Sequence, residues 1–116
     1  MQILYKNKAV EKQFSSKYKK KWKYSELVAQ KLEATENFIQ NAHTLYDVVV
    51  HLPFRFHALK GDRKHEWSIY IGAKTGYRVT MVPCDDDGNE IVEGDIIAMC
   101  KIIKIVEITE VSKHYE

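Results

Sequence analysis

The first half of the chain carries its apolar residues at the spacing of amphipathic helices. A short apolar run at 1–5 suits a strand. Between positions 10 and 22 an apolar residue then recurs every four positions among lysines, and this spacing predicts one helix. A serine pair at 15–16 could interrupt that helix. The recurring residues are Val10, Phe14, Tyr18 and Trp22.

A second helix is predicted to begin after Ser25, because serine is a favoured N-cap. Its buried face is marked by residues at i, i+4, i+7, i+11 and i+14, and the two helices together form a predicted hairpin. The segment 44–50 is ambiguous, since its β-branched triplet favours a strand and its position favours a further helical turn. The predicted buried face consists of Val28, Leu32, Thr35, Ile39 and Ala42.

The composition changes near Pro53, which ends the helical half because proline cannot continue a helix. All five glycines and many β-branched residues follow it. Strands are predicted at 56–60, 67–71, 77–82 and 102–111, with a turn at 85–89 and no clear assignment for 91–101. Helices followed by strands predict an α+β fold, and the length predicts a single domain spanning residues 1–116.

Length and composition exclude several classes of protein. The chain has 116 residues, of which 45% are hydrophobic and 29% charged, so neither disorder nor a fibrous class fits. No apolar run approaches the ~18 residues of a membrane helix, and no secretory signal is evident at the start. Cys84 and Cys100 make no disulfide framework and have no partners at zinc spacing. We therefore expect a cytoplasmic protein with no membrane association.

The net charge of +2 conceals a strong asymmetry along the chain. Residues 1–23 hold eight lysines and one glutamate, a net charge of +7. Residues 82–100 hold six carboxylates and no lysine or arginine, a net charge of −6. The basic segment favours a polyanion partner, although solubility alone would also explain charged helix and turn surfaces.

Basic and titratable side chains cluster in the strand half. Lys60, Arg63, Lys64 and His65 lie within six residues, and Arg78 follows in a predicted strand. The alternation of that strand predicts that Arg78 points away from the core, with the neighbouring loop bringing Lys60 and Arg63 to one edge of the sheet. A basic sheet face near aromatic rings suits phosphates and bases, although such side chains are also commonly just solvated.

Four stretches of the chain resemble one protein family. Residues 56–71 read FHALKGDRKHEWSIYI, Tyr77-Arg78-Val79 follows, residues 105–115 read IVEITEVSKHY, and the chain opens with MQILYKNKAVEKQF. Together they resemble the HigB-like branch of the RelE/ParE superfamily of type II toxins, also described as plasmid maintenance system killer proteins. The resemblance covers nearly the whole chain. The chain differs in having His65 where the family usually has glycine, and in its ending His114-Tyr115-Glu116.

The resemblance implies a fold in which an N-terminal helical hairpin packs on a twisted antiparallel sheet, the RelE-like microbial RNase fold. It implies a metal-independent endoribonuclease that cleaves messenger RNA in the ribosomal A site and so inhibits translation. It also implies a cognate helix-turn-helix antitoxin, similar to HigA, that forms a hetero-oligomer with the toxin.

The resemblance also implies roles for individual residues. Arg63 and Arg78 suit stabilisation of the phosphoryl oxygens, because a guanidinium pairs with two oxygens at once. His114 suits general acid or base catalysis, and Lys60 or Tyr115 could transfer a proton if nearby cations lower its pKa. The lysine cluster from Lys17 to Lys23 forms either a solvated helix face or, under the resemblance, a ribosome-binding face. The resemblance implies a catalytic set of Lys60, Arg63, Arg78, His114 and Tyr115 and no metal or organic cofactor. The further candidates for RNA binding are His57, Lys64, His65, Lys19, Lys20 and Lys21.

Two other functions fit the same scaffold. One is a ParE-like inhibitor of DNA gyrase, although members of that group generally lack a terminal histidine pair such as His114-Tyr115. The other is a catalytically inactive module that binds RNA or an antitoxin, which the altered order of the terminal residues leaves open.

Overall fold

One five-stranded sheet organises the part of the chain described by the computed structural model, namely residues 1–18, 24–63, 65–72 and 74–113. In chain order the strands are β1 Gln2–Tyr5, β2 His57–Ala58, β3 Trp67–Tyr70, β4 Tyr77–Cys84 and β5 Ile105–Lys113. Their order across the sheet is β1-β5-β4-β3-β2. Strands β2 to β5 are antiparallel as predicted, whereas β1 runs parallel to β5, so the sheet is mixed.

The first helix, α1 Lys8–Phe14, is shorter than its periodicity predicts. Ser15 has extended backbone geometry, and the carboxylate of Glu36 accepts the next backbone N–H, that of Ser16, at 2.9 Å. Glu36 is buried, so this contact from a distant part of the chain replaces a helical hydrogen bond and ends α1. Tyr18 therefore lies outside the helix, and Trp22 falls outside the described residues.

The next helices agree better with the pattern. Helix α2 is Glu26–Asn41, and the hydroxyl of its N-cap Ser25 accepts the N–H of Val28 at 3.2 Å, as predicted. The ambiguous segment forms α3 Leu45–Val49, and a 3₁₀ helix at Leu52–Phe54 contains Pro53. The unassigned stretch contains the short helix α4, Ile96–Met99, which is capped by Asp95. Together these elements form a mixed α+β fold, and no described helix is long and apolar enough to cross a membrane.

The hydrophobic core lies between the helices and one face of the sheet. In β4, Val79 and Met81 point into this core, and their neighbour Thr80 therefore belongs to the opposite face. All five residues of the predicted buried face of α2 are buried. The core contains Phe14, Leu32, Ile39, Leu45, Val48, Ile69, Val79, Met81, Val106 and Ile108.

Candidate functional site

The face of the sheet opposite the core carries polar side chains in two adjacent rows. Strand register places Tyr70, Arg78 and Ser112 opposite one another in one row. The second row lies two residues further along the strands, or about 7 Å away, and contains His57, Ser68, Thr80 and Glu110. We call these seven residues the polar face. Arg78 thus lies on the side of the sheet that its alternation predicts.

Four buried atoms of the polar face have no hydrogen-bond partner within the described part of the chain. A buried donor or acceptor left unpaired costs about 1–3 kcal/mol, so native proteins contain few of them. Arg78 also forms no ion pair with any described residue. The unpaired atoms are Ser68 Oγ, Arg78 Nε, Thr80 Oγ1 and Ser112 Oγ. All four lie on one face of the sheet, around the half-buried Arg78.

Arg63 reaches over the polar face from the loop between β2 and β3, where two carboxylates hold it. Its Nε and Nη2 donate to the two oxygens of Glu66 at 2.8 and 3.2 Å, and Nη2 also donates to Glu110 at 2.9 Å. The hydroxyl of Thr109 donates to Glu66 at 2.9 Å. These hydrogen bonds raise the pKa of Arg63, and those from Arg63 lower the pKa of Glu66. Arg63 is thus tied into an ion-pair network, not placed at the open edge of the sheet.

This network predicts a loss of stability in acid. The lowered pKa of Glu66 adds stability above its ordinary value of 4.5, and that stability is lost as the pH falls through the folded-state pKa. We expect Glu66→Gln to lower the free energy of unfolding by about 0.5–1 kcal/mol at pH 7, a small effect because the ion pair is partly screened by solvent. The effect should be smaller at pH 3. Urea unfolding of both proteins at pH 7, 5 and 3 measures this difference. An equal difference at every pH would contradict the assignment.

The other cations and histidines predicted near the site are placed differently. Lys60 is exposed and makes no hydrogen bond or ion pair with a described residue. His57 lies on the polar face, where its ring stacks on Tyr70 with centroids 5.7 Å apart. Its Nδ1 lies 2.7 Å from the carbonyl oxygen of Arg55, which can only accept, so Nδ1 is the ring nitrogen that donates there. His65 is half-buried in the loop.

Several predicted site residues cannot be placed. The possible terminal acid or base His114 and its neighbour Tyr115 lie outside the described residues. So do the RNA-binding candidates Lys19, Lys20, Lys21 and Lys64.

Sequence reasoning missed several members of this surface. Ser68, Thr80 and Ser112 alternate with buried or half-buried apolar residues along their strands, and that alternation was a usable signal. Glu66 follows Arg63 by three residues, so their pairing could have been considered from the sequence, whereas Glu110 is 47 residues away and meets Arg63 only through folding. No protein-family model matches this sequence, and no curated protein is significantly similar to it. The function of the polar face is therefore inferred from its residues, their geometry and the family resemblance.

Proposed function

We propose that this protein is a toxin of a type II toxin–antitoxin system that cleaves messenger RNA as a metal-independent endoribonuclease. The main support is the pairing of Arg78 and Ser112 on the polar face. They lie directly opposite each other on β4 and β5, and each has a buried polar atom without a partner among the described residues. Arg78 is half-buried, so the exposed part of its guanidinium could bind a phosphate group, with Ser112 beside it in the sheet.

The proposed reaction uses the 2′-hydroxyl of the substrate as the nucleophile. This hydroxyl gives its proton to a general base and attacks the adjacent phosphorus in line. The bond from phosphorus to the 5′-oxygen breaks, and that oxygen takes a proton from a general acid, with His114, Lys60 and Tyr115 as the candidates for these proton transfers. The guanidinium of Arg78 can bind two phosphoryl oxygens as negative charge accumulates on them. His57 is a candidate proton acceptor in addition to His114, because its Nδ1 is engaged by the Arg55 carbonyl and its Nε2 is not.

The proposal extends to the surroundings of the site. Lys60 is exposed and unpaired among the described residues, so its flexible ammonium group is available to the RNA backbone. The family resemblance adds the ribosome, a helix-turn-helix antitoxin, a cytoplasmic location and a RelE-like arrangement of the N-terminal helices on the sheet. The basic segment 1–23 is the part of the chain best suited by charge to ribosomal RNA.

The chemistry of the RNA ends tests this function. Purified protein is expected to cut messenger RNA on programmed ribosomes and to leave a 2′,3′-cyclic phosphate and a 5′-hydroxyl. One 2′-deoxynucleotide on the 5′ side of the cut should block cleavage there, because it removes the nucleophile. An otherwise identical message with the deoxynucleotide two positions away is the control. Cleavage at the deoxynucleotide, or intact message throughout, would contradict the proposal.

One observation favours a second function, RNA binding without catalysis. Both carboxylates near Arg63 already engage its guanidinium, which leaves only Nη1 without a partner in the described residues. A site with one free arginine instead of two binds RNA but stabilises a transition state less well. Tight binding to a message that is never cut would favour this function.

A further inference from the structure

A groove of about 360 Å³ opens at the edge of the sheet, on the side that α2 covers. Strand β2 pairs only with Trp67 and Ser68 of β3, so the rest of that edge is uncovered by a strand. Helix α2 and the 3₁₀ helix form the other walls. We call this space the edge groove, and its lining includes Lys31, Phe38, His51, Phe54, Arg55 and Tyr70.

Three rings form one wall of the edge groove. The ring centroids of Phe38, His51 and Phe54 lie 4.6 to 4.9 Å from one another. Phe54 is buried, whereas Phe38 and His51 are half-buried and keep part of their surface open to the groove. Aromatic surfaces of this kind stack with nucleic-acid bases regardless of sequence, since every base has a π face.

Two cations stand at the rim of the edge groove, and no carboxylate lines it in the described residues. Lys31 is exposed, and its methylene groups run close over Gly72, where an added Cβ would lie 3.6 Å from them. Arg55 is also exposed and has φ 48°, the one positive φ among the described residues other than glycine. This left-handed residue is the C-cap of the 3₁₀ helix, and its backbone N–H donates to the carbonyl of Leu52, which fixes where the Arg55 side chain leaves the backbone.

The edge groove continues into the polar face through Tyr70. Tyr70 lines the groove and lies directly opposite Arg78 in the sheet. His57 stacks on Tyr70 and is held by the carbonyl of Arg55, so the rim of the groove and the polar face share two contacts. An RNA strand with one phosphate at Arg78 would pass Tyr70 at the edge of the sheet to place a neighbouring nucleotide in the groove.

The geometry points to a base-binding subsite: the edge groove takes the base of a nucleotide next to the scissile phosphate of single-stranded RNA. The base stacks on the aromatic wall, and Lys31 and Arg55 bind the flanking phosphates. This inference rests on the proposed function, because the scissile phosphate defines where the strand lies.

Variants at the rim test the electrostatic part of the inference. A short single-stranded RNA, 2′-O-methylated throughout so that it cannot be cut, is titrated with protein by fluorescence anisotropy at several salt concentrations. Arg55→Gly, which suits the left-handed backbone, should weaken binding about tenfold and reduce the salt slope by about 0.7, the value for one lost phosphate contact on a single strand. Lys104→Gln removes an exposed charge that does not line the groove and should change the affinity less than twofold.

Abasic sites test the stacking part. The same RNA is made with one abasic nucleotide at each position in turn. Loss of a stacked base should weaken binding about 5- to 100-fold at one position, and His51→Leu should reduce that position-specific loss. A flat abasic profile, or equal effects of Arg55→Gly and Lys104→Gln, would overturn the inference.

Cleavage of the same RNA with free 2′-hydroxyls is measured separately on programmed ribosomes. If the protein cleaves RNA but the abasic profile is flat, the nuclease function stands and the base-binding subsite is excluded. If one abasic position weakens binding but no RNA is cleaved, base binding in the groove stands and the nuclease function is excluded.

Discussion

Arg78→Ala is expected to lower the rate of RNA cleavage by about 10²–10³-fold, the usual effect of removing one transition-state donor. The fold should remain as stable as before or become slightly more stable. Arg78 makes no ion pair with a described residue, and its buried Nε has no hydrogen-bond partner there, so truncation removes an unsatisfied donor. Single-turnover cleavage and urea unfolding of the same preparations measure the two effects.

Two further variants make the result for Arg78 specific. Arg78→Lys keeps the charge but cannot bind two oxygens at once, so it should recover only part of the lost rate. Lys104→Ala removes a cation at an exposed position outside the described site and should cut as fast as the unaltered protein. Full activity of Arg78→Ala would exclude Arg78 from the site, and unfolding of that variant would show a structural role instead.

Thr80→Val is expected to stabilise the protein by about 1–2 kcal/mol, in contrast to most substitutions in a core. Thr80 is fully buried, and its hydroxyl has no partner among the described residues. Valine has nearly the same shape without the hydroxyl, so it removes the cost of burying an unpaired polar group. The midpoint of urea unfolding should rise while its slope stays the same.

Thr35→Val is the matched control for this substitution. Thr35 is also buried, but its hydroxyl donates to the carbonyl of Lys31 at 2.7 Å. Losing a satisfied hydroxyl should leave stability unchanged or lower it slightly. If Thr80→Val instead lowers the free energy of unfolding as much as Thr35→Val does, the Thr80 hydroxyl has a hydrogen-bond partner in solution.

Substitutions of Arg63 and Arg78 are expected to affect stability and RNA binding differently, because the two side chains have different neighbours. Arg63 is held by Glu66 and Glu110, so its substitution breaks a network and affects both stability and RNA binding. Arg78 has no such partners in the described residues, so its substitution affects the ligand alone. Comparing unfolding free energies of the two alanine variants therefore separates a positioning role from direct contact with phosphate.

Features that depend on near neighbours in the chain could be predicted from the sequence. Ser25 caps α2, and the apolar spacing of that helix identified its buried face. Alternation along β4 separated Arg78 from the core side chains. These signals are reliable because helical and strand periodicity bring together residues only two to four positions apart.

Features that depend on distant contacts were decided only by the tertiary structure. Helix α1 ends at Phe14 because Glu36, 20 residues after Ser16, supplies the acceptor for its backbone N–H. Arg63 meets Glu110 across 47 residues of chain, and the edge groove forms where α2 passes the uncovered end of β3. Local periodicity assigns each side chain to a face of its own element, but strand order and register determine which faces meet. The sequence alone therefore determined which residues carry the proposed chemistry, and folding determined which of them are free to perform it.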